Sequence, residues 1–423
     1  MSLVAKNTES KRLAMQQDTT ITHRVFVSAL EPSANLHLKA LAYELNTLAE
    51  QRGVVLEIVG IFDHSAFVDC AHLRAHSSYE LSAFAVMAFV DVIKKYFFYK
   101  RVNDEMIALA KTCQKALLLD SSSFHIPLAK GLRGSGVEVV YYILPQVWAW
   151  KSWRAKEIER ICDRLCAILP FELSMYPNAL KDGRARYVGH PLLDELPLDS
   201  VDSMDSSESA ESRESTESAR EGKAGRGQTI VFMPGSRRGE IGRIFPIFVR
   251  LARELSESKV LVAPAHFANL PKDELHRIYG DGLEEFALSF DSTQALRACK
   301  FAFICSGTAT LQAALLGAPF VLAYTMRKVE YHIAKAFVGL NVVGLANILY
   351  QGACGESAGR GEQRLHTELI QDELSVENLL DSYKHFDYQT YARNAKKLRA
   401  YLGYGSSRNV ATVLLENLTQ TPR

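Results

Sequence analysis

Short runs of branched and aromatic apolar residues recur along this chain, separated by stretches of helical period, and that rhythm most constrains the fold. The runs are 24–29 (RVFVSA), 54–60 (VVLEIVG), 116–120 (ALLLD), 137–143 (VEVVYYI) and 165–169 (LCAIL). Between the first two, leucines at 36, 38, 41, 45 and 48 fall near a 3.6-residue spacing. Strands that are apolar throughout must be covered on both faces, and intervening helices supply the cover, so the pattern predicts parallel α/β sheets. The rhythm stops at Asp199–Glu221, where eight acids interleave with eight serines and no aromatic residue occurs. Such a tract buries too little apolar surface to offset its ordering entropy and reads as a flexible linker, with a partner-binding role as the lesser alternative. Strands are predicted again at 229–233, 259–263, 300–305 and 319–323, and helices at 387–401 and 407–418. Gly352–Gly361 reads as a mobile surface loop. Ligands bind such sheets at the carboxyl ends of the strands, so two facing halves put the site in the cleft between them.

Charge and cysteine usage narrow the function. The 423 residues carry 49 Lys+Arg against 48 Asp+Glu, a net +1, which argues against a nucleic-acid partner held over the whole surface. That neutrality is an average: the acidic tract alone carries −6, since Arg213 and Arg220 offset two of its eight acids, so the remainder carries +7. A basic body suits phosphorylated substrates and an anionic membrane surface. Seven cysteines without a C-x-x-C predict reduced thiols in the cytosol. No secretory h-region is expected at the N-terminus, and no run reaches the roughly 18 apolar residues of a spanning helix.

The motifs for common dinucleotide, P-loop, zinc-protease and nucleophile-elbow chemistry do not occur. Two other turns do. Pro234-Gly235-Ser236-Arg237-Arg238-Gly239-Glu240-Ile241 and Cys305-Ser306-Gly307-Thr308-Ala309-Thr310-Leu311-Gln312 each follow a strand and open a helix. Backbone N–H groups at such a turn hold phosphate oxygens, glycine lets them approach, and Arg237 or Arg238 adds a charge-assisted fork. The plainer reading is an ordinary β–α turn, with Ser306 or Thr308 capping the helix. Two such turns in one half point to a sugar nucleotide. In the first half, Glu31, Ser33 and Asn35 follow the first strand, where they either face substrate or cap a helix. Asp120 ends a strand, a position suited to general-base work, or else only caps the next turn. Trp148, Trp150 and Trp153 cluster beside Lys151, Arg154 and Lys156, which suits a sugar, a base or a lipid headgroup as well as simple packing. His190 stands at a strand end near the cleft. Residues 81–101 combine Phe84, Met87, Phe89, Phe97 and Phe98 with Lys94, Lys95, Lys100 and Arg101. That composition fits either a segment lying in a membrane interface or a core helix followed by a solvated one.

In their order along the chain, QVWAW (146–150), ILPFE (168–172), VGHPLLDELP (188–197), PGSRRGEI (234–241), SGTATLQAALLGAPFVLAY (306–324) and ANIL (346–349) resemble the lipid-A-disaccharide synthases, from about Arg24 to about Leu418. That resemblance implies an α/β GT-B architecture of two Rossmann-like domains facing across a cleft. The divisions expected are an N-terminal extension (1–23), an acceptor- and membrane-facing domain (24–198), the acidic linker (199–228), a UDP-sugar domain (229–386) and C-terminal helices packing back on the first domain (387–423). It also implies inverting transfer, without a cofactor or metal, from UDP-2,3-diacylglucosamine to 2,3-diacylglucosamine 1-phosphate, at the cytoplasmic face of an inner membrane. Asp120 and Glu31 are the catalytic residues it implies: Asp120 matches the family's strand-end base, and Glu31, with Ser33 and Asn35, its acceptor-side loop, although Leu30, Pro32 and Ala34 depart from that loop's pattern. Arg237, Ser306, Gly307, Thr308, Gln312, Asn347, Glu368 and Gln371 match its UDP-sugar side, with Gln312 standing where a Glu is usual. Trp148 and His190 are expected at the acceptor cleft. Residues 81–101 then become the membrane-facing, acyl-receiving surface. Two alternatives are another GT-B enzyme using UDP-N-acetylglucosamine, which fits QVWAW and GHPLLDELP poorly, and a non-catalytic sugar-nucleotide or lipid-binding protein.

Overall fold

The computed structural model describes residues 21–81, 92–149, 151–196, 198, 227–305, 307–326 and 340–418. Among them the first half forms one parallel sheet from Ile21–Ala29 (β1), Val54–Ile61 (β2), Leu73–Ser77 (β3), Lys115–Leu119 (β4), Glu138–Tyr142 (β5), Arg164–Ala167 (β6) and Ala185–Tyr187 (β7). Its order is β3-β2-β1-β4-β5-β6-β7. The second half repeats the plan with Thr229–Met233 (β8), Ser258–Val262 (β9), Ala287–Ser289 (β10), Phe301–Ile304 (β11), Phe320–Tyr324 (β12) and Glu368–Ile370 (β13), in the order β10-β9-β8-β11-β12-β13. Strand order reverses direction beside β1 and beside β8, the two switch points at which such sheets open a crevice.

Every apolar run singled out in the sequence forms a strand. The four strands that escaped it, β3, β7, β10 and β13, have only three to five residues, and all four lie at sheet edges. An edge strand is half-solvated and carries no continuous apolar run; Leu73–Ser77 alternates buried Leu73 and Ala75 with exposed Arg74 and His76. The central strands bury both faces. Phe26, Leu118, Val139 and Tyr141 enter one core, while Val25, Val27, Leu117, Leu119 and Tyr142 enter the other. Helix Pro32–Arg52 covers the second with Leu38, Leu41, Leu45 and Leu48 and ends at Gly53 in the left-handed region (φ 65°). Leu36, which the leucine spacing would bury, is instead 65% exposed, at the cleft rim.

The chain crosses between the halves twice. On the way out, Leu193, Leu196 and Leu198 pack into a core of the second half. Helix Tyr388–Leu402 stays in that core, and helix Ser406–Leu415 returns to the first half, where Lys115 Nζ donates to the Val413 carbonyl at 2.9 Å. The two crossings are tied together, since the Asp194 carboxylate accepts from Gly405 N and Ser407 N at 2.7 and 2.8 Å.

The Gly-rich stretch at 352–361 is not a loose loop. Its first two residues belong to helix Leu345–Ala353, and Gln351 clamps Gly361 by donating to its carbonyl and accepting from its N–H. None of the seven cysteines is disulfide-bonded, and five of them are buried. The acidic tract lies outside the described residues, and so do Phe84, Met87 and Phe89.

Candidate active site

A cleft of about 1700 Å³ opens between the carboxyl ends of the two sheets. From the first half it is lined by Ser33, His37, Asp120, Gln146, Glu172, His190 and Glu195, and from the second by Gly235, Arg237, Gly307, Thr308 and Gln312. Its volume exceeds the roughly 300–1,000 Å³ of ordinary small-molecule pockets, which leaves room for a ligand larger than a nucleotide sugar.

Asp120 is the most constrained residue on the first wall. It and Ser121 adopt left-handed conformations (φ 56° and 39°), uncommon outside glycine and held only where surroundings over-determine them. Here they do. Asp120 N donates to the Tyr142 carbonyl at 3.1 Å, while the Asp120 carbonyl accepts from Tyr141 Oη at 2.8 Å and from His125 Nδ1 at 2.7 Å. A carbonyl only accepts, so Nδ1 carries the hydrogen, and Nε2 accepts from the Ser28 hydroxyl at 2.8 Å. Burial pushes the His125 pKa down to about 4, which keeps that ring neutral and the tautomer fixed. The strand end is thereby locked with the Asp120 carboxyl at the cleft. Burial raises the pKa of that carboxyl, against lesser opposing pulls from the Ser121 N–H and the charge of His37.

On the second wall, Gly235 sits at φ 109°, and a Cβ there would fall 2.7 Å from Glu240 Oε2. Buried Glu240 accepts from Arg237 N (3.4 Å) and Arg237 Nη1 (2.8 Å), so it closes the first helical turn and holds the guanidinium. The Arg237 side chain remains 81% exposed. Gly307 (φ 127°) precedes helix Thr308–Leu315 and has nothing within 4 Å of where a Cβ would stand, so an anion has room to approach. Gln312 donates to Thr293 Oγ1 at 2.9 Å and accepts from Ser292 Oγ at 3.1 Å, one wall of the same recess. Ser306 lies outside the described residues.

Other candidates stand elsewhere. Asn347 is fully buried, and its amide is consumed by the His366 carbonyl, Glu368 Oε1 and the N–H groups of Leu365 and His366. Glu368 accepts from Val343 N and Gly344 N, and Gln371 clamps Thr325 and Met326. These three shape the backbone behind the donor wall and are not among the residues lining the cleft. Asn35 is also internal, donating to the Ala29 and Glu31 carbonyls and accepting from Asp63 N. Glu31 is exposed at the start of its helix and does not line the cleft. Trp148 packs edge-on against Phe171 with centroids 5.2 Å apart, leaving Gln146 and Val147 to face the cleft. His190 does reach the cleft, but its Nδ1 accepts from Leu192 N as a helix cap, and burial holds its pKa down at about 3.

On helix Val92–Ala110, Tyr96 and Phe97 are each 63% exposed, and Lys100 and Arg101 are exposed beside them. Phe98 departs from the expected membrane face, because it packs against the first core and lies under Arg101. The side chains of Lys94 and Lys95 lie outside the described ones.

Sequence reasoning passed over His37, Glu195, Glu172 and His125. Their residue types were visible, but only three-dimensional proximity marks them. His37 Nδ1 stands 2.5 Å from Glu195 Oε1 across 158 residues.

The family model described as lipid-A-disaccharide synthetase matches residues 25–408. Lipid-A-disaccharide synthase of Helicobacter acinonychis is 45% identical over 404 residues, covering 93% of this chain and 99% of that protein. The Campylobacter jejuni protein of the same name is 39% identical over 394 residues, covering 92% and 98%. Among solved structures, UDP-GlcNAc 2-epimerase from Neisseria meningitidis bound to UDP-GlcNAc superposes with a TM-score of 0.54 at 12% identity, over 94% of this chain and 100% of that one. The glycosyltransferase SnogD from Streptomyces nogalater gives 0.52 at 13%, over 94% and 99%. At that identity the likeness shows the fold alone, and the fold is GT-B.

Proposed function

The chain belongs to the lipid-A-disaccharide synthase family, and from that premise, which makes it a hexosyltransferase of lipid A biosynthesis, we propose how its own residues carry out the transfer. The donor is UDP-2,3-diacylglucosamine, the acceptor 2,3-diacylglucosamine 1-phosphate, and the products are the acylated disaccharide 1-phosphate and UDP. The locked strand end at Asp120 carries this reading: a half-buried carboxyl, its pKa raised by burial, lines the same cleft as the glycine turns of the second half.

Residues 24–198 hold the acceptor and residues 229–386 the donor. Arg237 and the N–H groups opening the helices after Gly235 and Gly307 stabilise the charge that develops on the leaving UDP. Glu240 keeps the guanidinium from wandering. Gln312 meets the ribose, donating and accepting through its amide. Asp120 takes the proton of the acceptor's 6-hydroxyl as that oxygen attacks the anomeric carbon from the face opposite UDP, which gives inversion. Ser33 lies on the acceptor side of the same wall. No metal is assigned to the step.

The test is release of UDP from UDP-2,3-diacylglucosamine, with and without the lipid acceptor and with EDTA. Release that depends on the acceptor and persists in EDTA is expected. Release without acceptor would favour an epimerase or hydrolase, no release a binding protein, and activity restored only by magnesium a metal-dependent transfer.

Among the described residues no helix is long and apolar enough to cross a membrane. We assign contact with the cytoplasmic face of the inner membrane to Tyr96, Phe97, Lys100 and Arg101, two exposed aromatics beside two cations. Changing Tyr96 and Phe97 together to Ser should lower partition onto vesicles containing anionic lipid by at least about tenfold. Unchanged co-sedimentation would remove this surface from the account.

A further inference from the structure

We propose that His37, oriented by Glu195, is a second proton acceptor of the transfer and receives at Nε2 the proton that Asp120 removes from the acceptor hydroxyl. The inference rests on the glycosyl-transfer reading and adds a residue to it.

His37 lies in the second turn of helix Pro32–Arg52, and Glu195 ends helix Pro191–Glu195. Both line the cleft, with side chains 14% and 18% exposed. A carboxylate only accepts, so the 2.5 Å contact puts the hydrogen on Nδ1. In the neutral ring Nε2 then carries the lone pair, and among the described residues no protein group bonds to it. A carboxylate that fixes the tautomer of an imidazole whose other nitrogen faces a cleft is the arrangement of a proton acceptor. His37 is also near enough to Asp120 for its charge to pull that carboxyl's pKa down.

The neighbouring groups are already committed. His190 spends Nδ1 on a helix cap, and His125 uses both nitrogens to lock the Asp120 backbone. Asp194, beside Glu195, accepts from the Gly405 and Ser407 N–H groups, and Arg408 pairs with Glu44 at 3.4 Å. Because the His190 Nδ1 lone pair accepts from Leu192 N, its Nε2 carries the hydrogen, and of the two histidines lining the cleft His37 is the one with a ring lone pair left to accept a proton.

The chemistry asks for such a group. A carboxylate is a weak base toward a hydroxyl, and a second acceptor beside it lets the proton leave Asp120. As the acceptor O–H bond breaks, its proton goes to an Asp120 carboxylate oxygen and on to His37 Nε2. The oxygen's electron pair forms the bond to the anomeric carbon, and the bond from that carbon to the UDP oxygen breaks with its pair leaving on UDP. Asp120 ends as an anion, and the new imidazolium faces Glu195.

The alternative is a strut joining the two helices, and full-length variants separate the two. His37→Ala should lower kcat roughly a hundredfold with little change in either KM, from the lower end of general-base effects. Added imidazole should restore part of that loss, increasingly as pH rises and its free base accumulates. Glu195→Gln should lower kcat less and distort the same pH profile. A His37→Ala enzyme with wild-type kcat and only a lower Tm would overturn the proposal, as would a kcat loss that imidazole does not relieve. No UDP release by the wild-type chain would instead sink the transfer reaction, and this role with it.

Discussion

Replacing Asp120 by Asn should lower kcat by about 10²–10⁴-fold and leave the fold intact. Asn keeps the size and hydrogen-bonding outline of the side chain but has no basic oxygen to accept the hydroxyl proton. It also tolerates the left-handed backbone that position 120 requires, which Ala or Val would not. The bonds to Tyr142, Tyr141 and His125 run through its own N–H and carbonyl, and the one bond to the carboxyl, from the Ser121 N–H, keeps an acceptor oxygen in Asn. The substitution therefore separates chemistry from scaffolding. The pH profile gives a second reading. Burial raises the Asp120 pKa, so the wild-type acid limb should lie above the ordinary Asp value of about 3.9 and disappear in the variant. Rates measured as UDP release at saturating donor and acceptor decide the matter. Near-normal turnover in Asp120→Asn would remove Asp120 from the role of base.

The alternation of apolar runs and helical segments sufficed for both sheets, because a central parallel strand must be apolar on both faces and so announces itself. Edge strands such as Ala185–Tyr187 and Ala287–Ser289 do not. The lining of the cleft was legible where a residue rides on a local turn: Asp120 at a strand end, and Gly235, Arg237, Gly307 and Thr308 at the starts of helices. It was not legible where a motif residue lies behind the lining. Asn347 and Glu368 satisfy buried backbone groups one layer behind the cleft, and pattern alone does not distinguish an amide that meets a ligand from one that holds the loop meeting it. The His37–Glu195 pair was invisible for the opposite reason. Nothing along the sequence joins two residues that become neighbours only when helix Pro191–Glu195 packs against helix Pro32–Arg52.

Glu172 leads to the second large expectation, a stability that falls as pH rises. Its side chain is 2% exposed at the base of the cleft, and its carboxyl accepts from Leu169 N at 3.3 Å. Among the described residues no Lys or Arg forms an ion pair with it, and burial pushes its pKa up to about 8 from the ordinary 4.5. The folded protein therefore retains a proton that the unfolded chain gives up near pH 4.5. With fewer protons bound in the unfolded state, the slope of stability against pH is negative between those values. At about 1.36 kcal/mol per unit, the loss from pH 4.5 to pH 8 is on the order of 4 kcal/mol, and it levels off above the folded pKa. Glu172→Gln keeps an acceptor oxygen for the Leu169 N–H and never ionises. The variant and the wild type should therefore run parallel below pH 4.5 and diverge above it, with the variant more stable at pH 8. Denaturant midpoints at pH 4.5, 6 and 8 measure this directly. Parallel curves across the whole range would show that Glu172 is already ionised in the fold. Placed between Trp148 of the first half and the crossing that leads into the second, a carboxyl that resists ionisation makes alkaline pH weaken the wall that joins the two domains.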